Sequence, residues 1–243
     1  MSYKIVSIEG NIGSGKSTLL ENLRKYYSKN TNVIFLREPV DDWEKIKDKQ
    51  GNTMLQKFYG DQEKYSFAFQ MMAYISRLKI LKETVDMIEN EKKKYMKDEF
   101  ERIIHSHEHN HEIKQYIIIT ERSLFTDKHV FAKMLYDQNK MEDVCYQIYL
   151  NWFDIFAKEY PVSYSVYVNA NPEKCYERIH NRAREGEELI PLSYLQDCHK
   201  YHEEFLDNFT NHKLILDGDV DIFKNEKIVE DWLEQIHLFL RGS

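Results

Sequence analysis

Lys4-Ile5-Val6-Ser7-Ile8-Glu9-Gly10-Asn11-Ile12-Gly13-Ser14-Gly15-Lys16-Ser17-Thr18 is an apolar run, a glycine-rich turn and the start of a helical pattern, in that order. Residues 10–17 fit the spacing GxxxxGK[ST]. Glycines let successive backbone N–H groups converge on an anion, and the start of a helix adds partial positive charge. On this pattern Gly10, Asn11, Ile12, Gly13, Ser14, Gly15, Lys16, Ser17 and Thr18 form a cradle for the phosphates of a nucleoside triphosphate. Lys16 reaches the outer phosphates and Ser17 offers a hydroxyl to Mg²⁺. A chance glycine-rich turn is the plain alternative, and the strand before and helix after argue against it. The motif does not fix the reaction, because switches, motors and kinases all carry it.

Outward from the cradle, residues 4–8, 32–36, 116–120, 164–169 and 214–216 read as short apolar strands. Helical patterns over residues 16–27, 64–97, 123–160 and 223–240 alternate with them, and Asn171-Pro172-Glu173 opens one more helix. Such alternation predicts an α/β fold: a five-stranded parallel sheet with helices on both faces. Neither repeats nor a dividing linker interrupt the 243 residues, so a single domain over 1–243 is expected. Residues 91–115 stand apart, with three lysines and then His105-Ser106-His107-Glu108-His109-Asn110-His111-Glu112. Imidazoles and carboxylates can hold a metal. A solvated helix end and loop is the expectation here, since a metal site also needs supporting hydrogen bonds.

A net charge of −7 gives no basic surplus for a nucleic-acid partner. The three cysteines are odd in number and widely spaced, which argues against a disulfide framework and for a reducing compartment. No apolar run approaches the roughly 20 residues of a membrane span. A soluble, intracellular and cytoplasmic protein is expected.

Five blocks of sequence, in order from the N-terminus to about Asp221, resemble the deoxynucleoside kinase family of the deoxycytidine, deoxyguanosine and deoxyadenosine kinase type. The first is Ser7-Ile8-Glu9-Gly10-Asn11-Ile12. The second, Glu38-Pro39-Val40-Asp41-Asp42-Trp43, ends the second strand, where ligands bind in parallel sheets. The resemblance implies that Glu38 takes the proton of a 5′-hydroxyl and that Trp43 walls a base pocket. The third block runs from Phe58 and Tyr59 through Gln70 to Arg77. It implies contact of Tyr59 with the sugar 3′-hydroxyl, a substrate-side place for Phe58 and bidentate reading of the base by Gln70. Gln70 and Arg77 are seven apart on a helix and therefore share a face. The run FAFQMMAYISRL around Gln70 is too apolar for a surface helix.

The fourth block is Thr120-Glu121-Arg122-Ser123-Leu124-Phe125-Thr126-Asp127. By resemblance, Glu121 helps hold Mg²⁺ and Arg122 binds the 5′-oxygen and transition-state charge. Asp127 pairs with Arg77, and Phe131 packs on the base. The fifth block, Arg178, Arg182, Arg184, Glu187 and Ile190-Pro191-Leu192, resembles an arginine-rich lid over residues 178–190. Guanidinium forks match phosphate geometry, so the arginines suit ATP. Glu187 is implied for the 3′-hydroxyl, and Asp221 for the ATP side.

The P-loop kinase fold is thus expected, with Mg²⁺ and ATP as cofactors, ATP and a deoxynucleoside as partners, and a homodimer by family likeness. The expected reaction is γ-phosphoryl transfer to the 5′-hydroxyl, with deoxycytidine or a deoxypurine preferred to thymidine. A monophosphate kinase of the thymidylate kinase type is the nearest alternative. It would need cations where Glu38, Asp41 and Asp42 cluster. A non-kinase nucleotide switch is the other, but Asn139-Lys140-Met141-Glu142 lacks the aspartate of a guanine-reading motif.

Overall fold

In the computed structural model, which describes residues 2–105, 115–182, 184, 186–221 and 226–242, the five strands form one all-parallel sheet. They are β1 (Ser2–Glu9), β2 (Val33–Leu36), β3 (Gln115–Glu121), β4 (Tyr164–Asn169) and β5 (His212–Asp217), in the order β2-β3-β1-β4-β5. Side chains alternate across this sheet, as strand geometry requires. Val6 and Ile8 pack against Leu19, Leu20 and Leu23 of α1 (Lys16–Tyr26) and against Trp232 and Ile236 of α10 (Glu226–Arg241). Ile5 and Ile118 face the other way, toward Tyr74 and Leu81 of α4 (Gln62–His105) and Tyr149 and Phe153 of α7 (Asp143–Phe156). Each fully buried Leu or Ile contributes about 1.5–3 kcal/mol of transfer free energy, so both faces are held by apolar burial.

Two short helices, α2 (Val40–Trp43) and α3 (Met54–Gly60), follow β2. Thr53 and Gln56 close a reciprocal capping box that fixes the start of α3. After β3 come α5 (Leu124–Thr126), a π-helical turn (Asp127–Ala132) and α6 (Lys133–Asp137). The wide turn is a local departure of the kind that clusters at functional sites, and Asp127 and Phe131 both stand on it. After β4 come α8 (Pro172–Arg182), a 3₁₀ turn (Glu187–Leu189) and α9 (Leu192–Asp207). Gly186, at φ +88°, sits against Gln56 and seats this connection on α3.

The helix expected over residues 64–97 runs longer, over 44 residues to His105, about 66 Å at the usual rise. Nothing between residues 97 and 105 is Gly or Pro, so no strong breaker stops it. The rest of the His-rich segment, 106–114, lies outside the described residues. Residues 123–160, expected as one or two helices, are broken into several pieces by the π turn and the bend at Asn139, which has φ 57°. Among the described residues no helix is long and apolar enough to cross a membrane.

Candidate active site

All three loops that follow β1, β2 and β3 meet at the C-terminal edge of the sheet, where they line a cleft of about 610 Å³. The cradle residues 12–18 form one wall of it. Gly13 has φ +78°, and a Cβ there would come within 2.6 Å of the Cys175 carbonyl oxygen. Gly10 lies behind the loop, where a Cβ would meet the Val168 carbonyl oxygen at 2.6 Å. Only glycine fits these backbone positions. Asn11 also stays behind the cleft: its Nδ2 donates to the Leu195 carbonyl (2.8 Å), and its own carbonyl accepts from Lys16 Nζ (2.5 Å). Burial, with Arg122 nearby, pushes the Lys16 ammonium down to about 7. A buried ammonium beside a guanidinium is a site that favours an anion.

The centre of the cleft is a chain of buried charges. Glu38, at the end of β2, takes Arg122 NH1 on both oxygens (3.0 and 2.9 Å) and Arg77 NH2 on Oε1 (2.7 Å). Arg77 spends its other nitrogens on Asp127 Oδ2 (2.9 Å) and on the Glu121 carbonyl (3.0 Å). Two carboxylates therefore share one guanidinium. Burial alone would raise Glu38, but Arg122 and Arg77 outweigh it and hold the carboxyl at about 2. Asp127 has only part of Arg77 and faces the charge of Glu38, so burial prevails and pushes it up to about 6. Opposed shifts in neighbouring acids assign them different tasks.

Arg122 has left-handed backbone, φ 61°, unusual for a long side chain. Its N–H bonds the Ile8 carbonyl (3.0 Å) and its guanidinium lies 5.1 Å from the centre of the Phe131 ring. Such outliers persist where surrounding structure over-determines them, typically at working sites. Ser17 Oγ donates to Glu121 Oε1 (2.5 Å) beside the cradle. A hydroxyl and a carboxylate there are the hard oxygen donors that Mg²⁺ takes together with phosphate oxygens, so these residues fit the ion.

At the other end Trp43, Phe69, Gln70, Phe131 and Tyr59 line an aromatic pocket. Trp43 is fixed by a bond from Nε1 to Ser76 Oγ (2.9 Å) and by edge contact with Phe69 (5.7 Å). Gln70 is 2% exposed, yet among the described residues no hydrogen bond reaches its amide. Phe58 does not line the cleft; it is fully buried and stacks on Phe69 (4.4 Å, 14°), stiffening the wall from behind. Ala73, one turn after Gln70, and Tyr194 also line the cleft. Sequence reading passed over both: an alanine carries no chemical signal, and Tyr194 reaches the site only through the fold.

Above the cradle, Arg182 and Arg184 both bind the Glu187 carboxylate, Arg184 NH1 at 3.2 Å. Both arginines, Glu187 and Asp221 line the cleft. Arg178 also lines it, but its fork is spent on the Ser14, Gly218 and Val220 carbonyls (3.3, 2.8 and 3.1 Å). Its role here is to tie the cradle to the segment after β5. Among the described residues no cluster of three metal-binding side chains exists.

The family model described as deoxynucleoside kinase matches residues 6–241. The chain belongs to the deoxynucleoside kinase family. It is thus a phosphotransferase of nucleotide salvage. It is 28% identical to the mitochondrial deoxyguanosine kinase of Xenopus laevis, over 100% of this chain and 91% of that protein. It is 32% identical to the deoxycytidine kinase of Mus musculus (84% and 75%), and 30% identical to the mitochondrial thymidine kinase 2 of Homo sapiens (83% and 64%).

The Asp127 shift has a measurable sign. Its folded pKa, about 6, exceeds the ordinary carboxylate value, so the native state binds the extra proton and gains stability as pH falls through 6. Between pH 7 and 5 wild type should gain about 1 kcal/mol relative to Asp127→Asn, read by denaturant unfolding. No relative gain over that interval would mean that Asp127 is not raised above its ordinary value.

Proposed function

We propose that this kinase transfers the γ-phosphoryl group of ATP to the 5′-hydroxyl of a deoxynucleoside. The observation that carries the proposal is the Arg122–Glu38–Arg77 cluster between the phosphate cradle and the aromatic pocket. It sets a carboxylate and a guanidinium where donor and acceptor would meet. Glu38 accepts the proton of the 5′-hydroxyl as the new O–P bond forms and the bond to the ADP oxygen breaks. A carboxylate held near 2 is a weak base, but it is always in the accepting form at neutral pH. Phosphoryl transfer has a loose transition state that asks mainly for positioning and charge neutralisation. Arg122 holds the 5′-oxygen and the developing charge, and Lys16 the outer phosphates. Ser17 and Glu121 would hold Mg²⁺, which when bound would supply neutralisation of phosphate charge. Arg182 and Arg184 close on the phosphates while Glu187 and Tyr59 hold the 3′-hydroxyl.

One cleft is lined from Ile12 to Trp232, which supports reading residues 1–243 as a single working domain. Three free cysteines are compatible with the reducing, cytoplasmic setting proposed for the chain. Val144, Ile148, Trp152, Ile155 and Phe156 are all exposed along α7, which supports the homodimer that the family likeness implies.

Glu38→Gln keeps the shape and loses the proton acceptor. It should lower kcat by about 100-fold or more with nucleoside binding largely kept. A kcat near wild type would remove Glu38 from the mechanism.

For the base, we propose deoxycytidine or a deoxypurine over thymidine. Gln70 offers a donor and an acceptor from a buried position, and the Asp127 carboxylate can accept from an exocyclic amino group. A thymine methyl group needs apolar room where the Arg77–Asp127 pair stands. Replacing both, Arg77→Met with Asp127→Ala, should raise kcat/KM for thymidine relative to the other three deoxynucleosides. Asp127→Ala alone should mostly damage activity, since it takes one of the two carboxylates from Arg77 and leaves two buried guanidinium groups on the single carboxylate of Glu38. Thymidine as the best wild-type substrate would contradict the assignment.

A further inference from the structure

Glu9 is the last residue of β1 and is fully buried, yet its carboxylate has a single hydrogen bond, from Thr126 Oγ1 to Oε2 (2.6 Å). Among the described residues Glu9 Oε1 has no partner. The same is true of one atom of the neighbouring side chain, Arg122 Nε. The two residues are neighbours by register. Ile8 pairs with Glu121, and Arg122 N–H bonds the Ile8 carbonyl, so Glu9 and Arg122 leave adjacent strands side by side. The negative charge of Glu9 also acts on the Arg122 guanidinium. A buried carboxylate satisfied by one hydroxyl is unfavourable for stability, and a buried guanidinium N–H without an acceptor is too. Two such costs side by side, with complementary atoms, call for a function that cancels both.

We propose that Glu9 is a positioning residue for Arg122 in phosphoryl transfer. In the resting arrangement Arg122 NH1 is engaged with both oxygens of Glu38. For Glu38 to receive a proton from the acceptor hydroxyl, and for Arg122 to meet the acceptor oxygen, that contact has to loosen. Arg122 Nε then turns onto Glu9 Oε1, which holds the guanidinium plane while its outer nitrogens face the reacting oxygens. Thr126 aims the carboxylate, and Ser123 Oγ, 3.0 Å from Thr126 Oγ1, holds Thr126 in turn. No bond to phosphorus or proton transfer passes through Glu9. Its contribution is to orientation, and it rests on the role given to Arg122 above.

Steady-state kinetics of Glu9→Gln, alone and with Arg122→Lys, test the proposal. Glutamine keeps an oxygen for Thr126 and loses the charge that draws Nε. The expected result is a kcat at least 10-fold below wild type, KM for ATP and nucleoside within 2-fold, and a melting temperature not lowered. In the Arg122→Lys background, which has no Nε–H fork to aim, Glu9→Gln should lower kcat no further. Should Glu9→Gln fail to fold, Thr126→Val removes the hydroxyl that aims the carboxylate. It should lower kcat at least 3-fold, again only when Arg122 is present. A lowered melting temperature with unchanged kcat would mark Glu9 as structural and overturn the proposal. So would losses that multiply in the double variant. Near wild-type kcat in Arg122→Lys by itself would instead overturn the role of Arg122.

Discussion

The site depends on one arrangement: the Glu38 carboxylate clamped between Arg122 and Arg77, with Arg77 shared onward to Asp127. Four charges are taken out of water here, at a cost that only near-complete pairing offsets. The fold supplies that pairing by bringing together the ends of β2 and β3, the middle of α4 and the π turn. Removing Arg77 strands Asp127 and removing Glu38 takes the carboxylate from Arg122, while losing either end member leaves the buried charges unbalanced. The cluster therefore fixes how α4 sits against the sheet edge, and that in turn fixes Gln70 and Ala73 in the wall of the aromatic pocket.

The same cluster links recognition to chemistry. Arg77 touches both the carboxylate proposed to take the proton and the carboxylate proposed to read the base. Their pKa values, about 2 and about 6, are driven apart because burial raises both, while Glu38 is bonded by Arg122 as well as Arg77 and Asp127 by Arg77 alone. Changes at the base end should then be felt at the reacting end without any movement of the backbone. Such direct ionic contact is a physical route for coupling, in contrast to mere proximity.

Much of this was legible in the sequence. The alternation of short apolar runs with helical patterns gave the parallel sheet, and GxxxxGK[ST] placed the cradle, because both depend on local chemistry. The common face of Gln70 and Arg77 followed from helical spacing. The less legible parts depend on three-dimensional context. Nothing local marks Glu9 as partly unsatisfied, Phe58 as a backing residue, or Arg178 as a tie between three carbonyls. The π turn at Asp127 and the left-handed Arg122 likewise arise from the packing of β3 and α4, not from turn-forming residues. Helix α4 ran past its expected end because only the absence of breakers, a weak signal, continues it.

The central claim is that a neutral nucleoside hydroxyl, not a phosphate, is the acceptor, since the Glu38 carboxylate lines the reacting end of the cleft; Asp41 and Asp42, expected to add to its charge, are exposed and lie outside the lining. It is tested most directly by ADP release from ATP and Mg²⁺ in the presence of each deoxynucleoside, each deoxynucleoside monophosphate, or neither. The account predicts sustained ADP formation with a deoxynucleoside and only background with the monophosphates or with none. Turnover with a monophosphate in place of the nucleoside, or ADP release that needs no acceptor, would contradict it.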